Sequence, residues 1–186
     1  MRYCLAARCK RDASQLVFGF SLAGRPHIAA GISPREEQGA GAAITAQLRG
    51  DFNVCHSGEH VVLVWPNCRT VGIDIERHRS ALEVRKLFAL AVRDDDLCEV
   101  KRRGQRGENE FFFDIWATKE ALLKARGLGI TVGPERFSVA SRRVARPSSE
   151  ETAILLPSSR MIRAAWICTV AGYSACVAWE RRITPQ

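Results

Sequence analysis

The sequence predicts an α+β fold. Strand-like patterning dominates residues 15–76, helical periodicity dominates 81–126, and strand patterning returns over 137–179. Strands, then helices, then strands, without regular alternation, argue against a doubly wound parallel sheet. At 186 residues the chain suits one domain or two small halves sharing a core. The seam is expected just after Glu76, dividing the chain into 1–78 and 79–186.

Residues 15–20 place Leu16, Phe18 and Phe20 on one side, the period-2 signature of a half-buried strand. Ser33-Pro34-Arg35-Glu36 has the form of a capping box with proline at the first helical position. A helix is therefore expected from there towards Leu48, although Gly39 and Gly41 each weaken it by about 1 kcal/mol relative to alanine. Residues 60–65 form an apolar run, read as a strand, and 71–76 alternate again. Helical patterning begins near Ala81, continues through 94–101 and is clearest over 110–126, where Gly127 and Gly129 end it. Strands are expected at 137–140, 152–156, 162–170 and 173–179.

With 46% of residues apolar and 26% charged, wholesale disorder and a fibrous repeat are excluded. No apolar run approaches the roughly 18–20 residues that cross a bilayer, so no membrane partner is expected. Arg8 interrupts the N-terminal apolar stretch before a secretory core could form, which makes the cytoplasm the expected compartment. Seven cysteines without a CxxC pair read as small buried apolar groups, not as a zinc ribbon or disulfide framework. Lys plus Arg number 28 against 20 Asp plus Glu, a formal charge of +8, which suits an anionic partner. The basic residues are dispersed and no basic strand is interleaved with aromatics, so that partner is not expected to be nucleic acid.

Three segments carry chemistry. In Val71-Gly72-Ile73-Asp74-Ile75-Glu76, alternation puts Val71, Ile73 and Ile75 on one face and Gly72, Asp74 and Glu76 on the other. Two neighbouring carboxylates need a cation if they are even partly buried. A hard divalent ion is one answer; a solvent-facing strand edge paired with Arg77 or Arg79 is the other. In Trp116-Ala117-Thr118-Lys119-Glu120-Ala121-Leu122-Leu123-Lys124, Lys119 falls inside the apolar arc formed by Ile115, Trp116, Leu122 and Leu123. A lysine there must snorkel or meet an anion. Glu120 and Lys124, at i and i+4, read equally well as a surface pair. Finally, Phe52-Asn53-Val54-Cys55-His56-Ser57-Gly58 precedes the apolar strand, where His56 is either a structural hydrogen-bonding residue or a functional one. Ser57-Gly58 is turn chemistry. There is no GxSxG elbow, P-loop, strand-following GxGxxG or HExxH helix.

Together the three segments resemble the Sfp-type 4′-phosphopantetheinyl transferases. That family shows an FNxSHS-like segment, a GIDIE-like strand and a W-x-x-KEA-x-x-K helix; here they read FNVCHS, VGIDIE and WATKEALLK, in that order. Gly24-Arg25-Pro26, the Gly127-Leu128-Gly129 helix exit, Phe137-Ser138-Val139 and the AGYSACVAW strand extend the resemblance over residues 16–179. Cys55 stands where the family commonly has serine, residues 33–50 look longer than usual, and Asp94, Asp95 and Asp96 replace a glutamate-bearing helix start. The short segment before Gly24 implies a first half that is short at its N-terminus.

The resemblance implies two similar α+β halves packed as a pseudo-dimer, 1–78 and 79–186, the second carrying the WATKEALLK helix, with coenzyme A clasped at their seam. It implies that Asp74, Glu76 and Glu120 hold Mg²⁺ against the pyrophosphate, while Lys119 and Lys124 supply further positive charge. Arg25, His56 and Ser57 would contact coenzyme A, the first two at its 3′-phosphate. A serine of an acidic acyl or peptidyl carrier protein would attack the β-phosphorus, with Glu120 as candidate base, and 3′,5′-ADP would leave. Such a monomeric enzyme would serve fatty-acid, polyketide or nonribosomal peptide biosynthesis. The alternative is a catalytically degenerate member that binds coenzyme A or an acidic partner.

Overall fold

The strand expected at 71–76 forms as one edge of a four-stranded sheet, and the helix expected at 110–126 lies across it. The computed structural model describes residues 1–22, 24–29, 52–65, 70–80, 84, 92–102, 105–129, 133–139, 152–155, 161–167 and 170–180. In chain order, α1 spans Arg2–Cys9, β1 Val17–Phe20, β2 Pro26–Ala29, β3 Asn53–Ser57, β4 His60–Val64 and β5 Val71–Arg77. Then come α2 Asp94–Arg102, α3 Gln105–Ala125, β6 Thr152–Leu155, β7 Met161–Trp166 and β8 Tyr173–Glu180, with 3₁₀ turns at Ala13–Gln15 and Pro134–Arg136. The α+β class is as expected. The helix expected from Ser33 towards Leu48 and the helical start near Ala81 lie outside the described residues.

The strands β1 and β2 pair antiparallel, as do β3 and β4, while the larger sheet has the order β5-β8-β7-β6, all antiparallel. On its outer side β5 meets β3 through side chains. The Ile73 N–H donates to Asn53 Oδ1 at 3.1 Å and the Arg77 N–H to Ser57 Oγ at 2.9 Å, partners twenty residues apart in both cases. A constant offset means that the two strands run in the same direction. It also gives the outward N–H groups of an edge strand their acceptors.

The core falls into neighbouring clusters. Leu5, Ala6, Cys9, Leu16 and Phe52 join α1 to the first hairpins. Cys55, Ile73, Ile75 and Ala175 fill the space between β3, β5 and β8. Phe111, Ile115, Ala117, Ala121 and Leu122 of α3 pack against Ile162, Ala164, Cys176 and Ala178 of the sheet. The helix α1 was not anticipated. It is eight residues long, too short to be stable alone, and tertiary burial of Leu5, Ala6 and Cys9 holds it.

Two expected strands are corrected. Residues 137–139 are irregular, because the Val139 N–H donates to Asp96 Oδ1 at 3.0 Å; Ala140 lies outside the described residues. The strand expected at 162–170 ends at Trp166, and the chain turns at Gly172, φ 81°, where the Tyr173 N–H donates to the Val170 carbonyl at 3.2 Å. The strand β5 itself hydrogen-bonds to β8, so a strand of the segment 1–78 completes the sheet of the segment 79–186.

Candidate functional site

The site begins at a glycine. A Cβ on Gly72 would lie 2.0 Å from the Ala121 carbonyl oxygen and 2.4 Å from the Ala125 nitrogen. Only a bare backbone lets α3 rest on β5 this closely. The face of β5 that carries Gly72, Asp74 and Glu76 is therefore pressed against α3. The helix answers with Trp116, Glu120 and Lys124, one stripe at successive four-residue steps. Lys124 Nζ lies 2.6 Å from Asp74 Oδ1 and 3.6 Å from Glu120 Oε2. Trp116 Nε1 donates to Glu76 Oε1 at 3.1 Å, and Ser57 Oγ donates to Glu76 Oε2 at 3.2 Å. Because Ser57 Oγ already accepts the Arg77 N–H, its single hydrogen is free to point at Glu76.

Asp74 and Glu120 flank one ammonium, and Glu76 lies near enough to act on both carboxyls. Burial pushes the Asp74 carboxyl up to about 7, Lys124 pulls it back, and Glu120 and Glu76 push it further up. Burial also raises Glu120, against the pull of Lys124. For Lys124, burial favours the neutral amine, but Asp74 and Glu120 outweigh it and the net direction is up. Asp74 Oδ2 is buried and has no hydrogen-bond partner. An unsatisfied buried carboxylate oxygen is costly, and a hard cation is the ligand that relieves it. The chemistry of this donor set fits a divalent ion. Among the described residues no three His, Cys, Asp or Glu side chains are gathered as a ready metal cluster, because it is the Lys124 ammonium that sits against Asp74 and Glu120. Nearby, burial pushes the Cys55 and Cys176 thiols up to about 12, so both are neutral.

The other expected site residues are arranged differently. Lys119 does meet an anion, but that anion is Asp96: Nζ lies 2.5 Å from Oδ2, with both side chains 0% exposed. Asp96 was missed as the partner, although three acids open α2 and a buried lysine demands one. Lys119 was expected to supply positive charge to a pyrophosphate; here its ammonium is sealed against Asp96. Ser57, expected to contact coenzyme A, is buried with its hydroxyl on Glu76. Arg25 reaches across from the β1–β2 turn, donating through Nη1 to the Lys124 carbonyl and through Nη2 to the Val71 carbonyl. His56 is exposed on β3, opposite the face of Asn53, Cys55 and Ser57, and stands beside Val61 of β4. The structure thus brings Asp74, Glu76, Glu120, Lys124 and Ser57 together and leaves Lys119 and His56 on other faces. Trp116, holding Glu76, is the site residue whose role the sequence reasoning missed; its place four residues before Glu120 was the signal.

Comparison with known proteins identifies the family. The family model of the 4′-phosphopantetheinyl transferase superfamily matches residues 70–177, which contain β5, α3 and the first five residues of β8. The 4′-phosphopantetheinyl transferase Sfp of Bacillus subtilis is 32% identical over 89 residues, 47% of this chain and 38% of the relative. The 4′-phosphopantetheinyl transferase psf-1 of Bacillus pumilus is 33% identical over 105 residues, 55% of this chain and 43% of the relative. The 4′-phosphopantetheinyl transferase AcpT of Salmonella typhi is 31% identical over 110 residues, 57% of each chain. The chain thus matches about two fifths of the length of the Bacillus relatives.

Proposed function

The chain belongs to the 4′-phosphopantetheinyl transferase superfamily, and on that premise we propose that it transfers the 4′-phosphopantetheine group of coenzyme A to a serine of an acidic acyl or peptidyl carrier protein. The single observation that carries this is Asp74: a buried carboxylate with one oxygen lacking a donor, set beside Glu120, Glu76 and the Lys124 ammonium.

Asp74, Glu76 and Glu120 would hold Mg²⁺, and when bound the ion supplies charge neutralisation on the pyrophosphate and a template for in-line displacement. Trp116 and Ser57 fix the Glu76 carboxylate from both sides, so its oxygens are preorganised. Lys124 sits where it can exchange a carboxylate partner for a phosphate oxygen, and it is 29% exposed. The carrier serine oxygen bonds to the β-phosphorus, the bond from that phosphorus to the bridging oxygen breaks, and 3′,5′-ADP leaves with the electron pair. The serine proton passes to Glu120, whose burial makes its carboxylate a better base. His56 is read as a contact for the 3′-phosphate, supported by its exposure. Lys119 is assigned to holding α3 on α2, through Asp96. The segments 1–78 and 79–186 are read as the two halves of a monomeric pseudo-dimer that clasps coenzyme A in the cytoplasm. The charge of +8 favours an acidic partner by electrostatic steering. Among the described residues no helix is long and apolar enough to cross a membrane.

The test is mass spectrometry of apo carrier proteins incubated with the chain, coenzyme A and Mg²⁺. Gain of one phosphopantetheine unit, abolished by chelation, is expected. Carrier proteins that stay unmodified while coenzyme A still binds would favour the degenerate binding protein instead.

A further inference from the structure

We infer that Asp114, Ser174 and His78 form a buried chain of positioning residues for Glu76, acting through Trp116; this deepens the transferase reading, in which Glu76 is a metal ligand, and rests on it. The face of β5 that carries Gly72, Asp74 and Glu76 continues one step beyond the strand to His78. The His78 N–H donates to the Gly172 carbonyl at 2.8 Å, which carries the pairing with β8 past Arg77. Its ring lies against Phe113 of α3, with centroids 5.3 Å apart and planes 17° from parallel. His78 Nε2 is 2.9 Å from Ser174 Oγ, and Ser174 Oγ donates to Asp114 Oδ1 at 2.6 Å. A hydroxyl has one hydrogen. With that hydrogen on Asp114, the serine oxygen accepts from Nε2, and the chain has a single direction.

Each member of the chain sits beside part of the site. Ser174 is the direct cross-strand partner of Glu76 on β8. Asp114 lies two residues before Trp116, whose indole donates to Glu76 Oε1. The helix and β5 meet in opposite directions: Phe113 against His78, Trp116 against Glu76, Lys124 against Asp74, and Ala121 and Ala125 against Gly72. At the Gly72 end, backbone contact sets the spacing. At the Phe113 end rings separate the two elements, and the chain supplies a second fixed point. Hydrogen bonds have defined lengths and directions, so a buried polar chain specifies one arrangement where ring packing alone would admit several. Ser174 and Asp114 are 3% and 5% exposed, so water does not compete for these bonds. Asn109 adds to the tie, its Nδ2 donating to the Arg79 carbonyl at 3.4 Å. With both ends of the contact fixed, Trp116 between them meets Glu76 in one geometry, and the carboxylate is held ready for an ion.

Ser174→Ala and His78→Phe break the chain, and Ser174→Thr keeps its hydroxyl. Because His78→Phe preserves a ring on Phe113 and the Ser174–Asp114 bond, it decides if Ser174→Ala does not fold. The first measurement is hydrogen exchange of the Trp116 indole N–H by NMR. The reference is the Trp166 indole, which donates to Thr118 Oγ1 of the same helix at 2.9 Å. Both broken-chain variants should lose protection at Trp116 but not at Trp166, and Ser174→Thr should keep it. The second measurement is the Mg²⁺ dependence of transfer. The half-saturating concentration should rise about tenfold or more, with KM for coenzyme A changed less than about threefold and turnover restored by excess Mg²⁺. Equal loss of protection at the two indoles, or loss at neither, would reduce the chain to ordinary packing of helix on sheet and overturn the inference. A turnover loss that excess Mg²⁺ does not restore would overturn it as well. If the parent protein transfers nothing to any carrier, the proposed function fails and the indole exchange alone decides the role of the chain.

Discussion

Lys119 and Lys124 stand on the same helix, and each bonds an aspartate at nearly the same distance, 2.5 Å to Asp96 and 2.6 Å to Asp74. Their surroundings differ. Asp96 also accepts from Ser138 Oγ at 2.8 Å and from the backbone N–H groups of Val139 at 3.0 Å and Arg93 at 3.2 Å. Both of its oxygens are served, and the pair is sealed from solvent. Asp74 has Lys124 on one oxygen and no donor on the other, with two further carboxylates nearby. A satisfied buried pair is structure; a pair left short of positive charge, at the edge of solvent, is where a ligand cation or phosphate can be stabilised.

The same substitution at the two lysines should separate them most widely. Lys119→Met strands the Asp96 charge among donors that favour the ionised form, so a loss of about 3–5 kcal/mol is expected from urea unfolding. Lys124→Met should cost at most about 1 kcal/mol, because the pair is partly exposed and Asp74 can take up a proton instead. Equal losses would break the contrast. A lysine that merely snorkelled from the apolar arc would lose little on this change; the sealed pair makes it costly.

Next in size is a change at the open pair that spares the fold. Asp74→Ala should lower transfer turnover by about a hundredfold or more, while the unfolding midpoint holds, since one member of a like-charged group is removed. Near-normal turnover at ordinary Mg²⁺ would reduce Asp74 to a strand-edge carboxylate.

The smallest effect is a pH dependence. The Asp74 carboxyl is raised from 3.8 to about 7 in the folded protein, so between those values the native state holds a proton that the unfolded chain has released. The contribution of Asp74 to stability is therefore greatest below about pH 4 and declines as the pH rises through about 7. Asp74→Asn, which cannot ionise, should gain on the parent protein as the pH rises across that window. Metal-free unfolding curves taken from pH 4 to 8 measure this, and a constant difference between the two proteins would sink it.

Much of the site was legible in one dimension because its parts are periodic. Alternation along β5 was enough to put Gly72, Asp74 and Glu76 on one face, and the four-residue step of a helix was enough to align Glu120 with Lys124. The misfit of Lys119 in an apolar arc was legible for the same reason, as was its need for an anion. Less regular segments were not. Residues 137–139 have strand-like composition, but Asp96 takes the backbone N–H that a ladder would use. The helix α1 is too short for periodicity to announce it.

What the sequence by itself determined is therefore which residues share a face, since the pleat of a strand and the turn of a helix are local geometry. Which face meets which was decided by tertiary structure. Gly72 selects the stripe of α3 that lies on β5, because any other residue there would collide with the helix backbone. Asp96 becomes the partner of Lys119 from 23 residues away, and Arg25 reaches the carbonyl of Lys124 across 99. Contacts at such separations have no period in the sequence, and they form only where the packing of the whole chain removes both groups from water and leaves each the nearest answer to the other's charge.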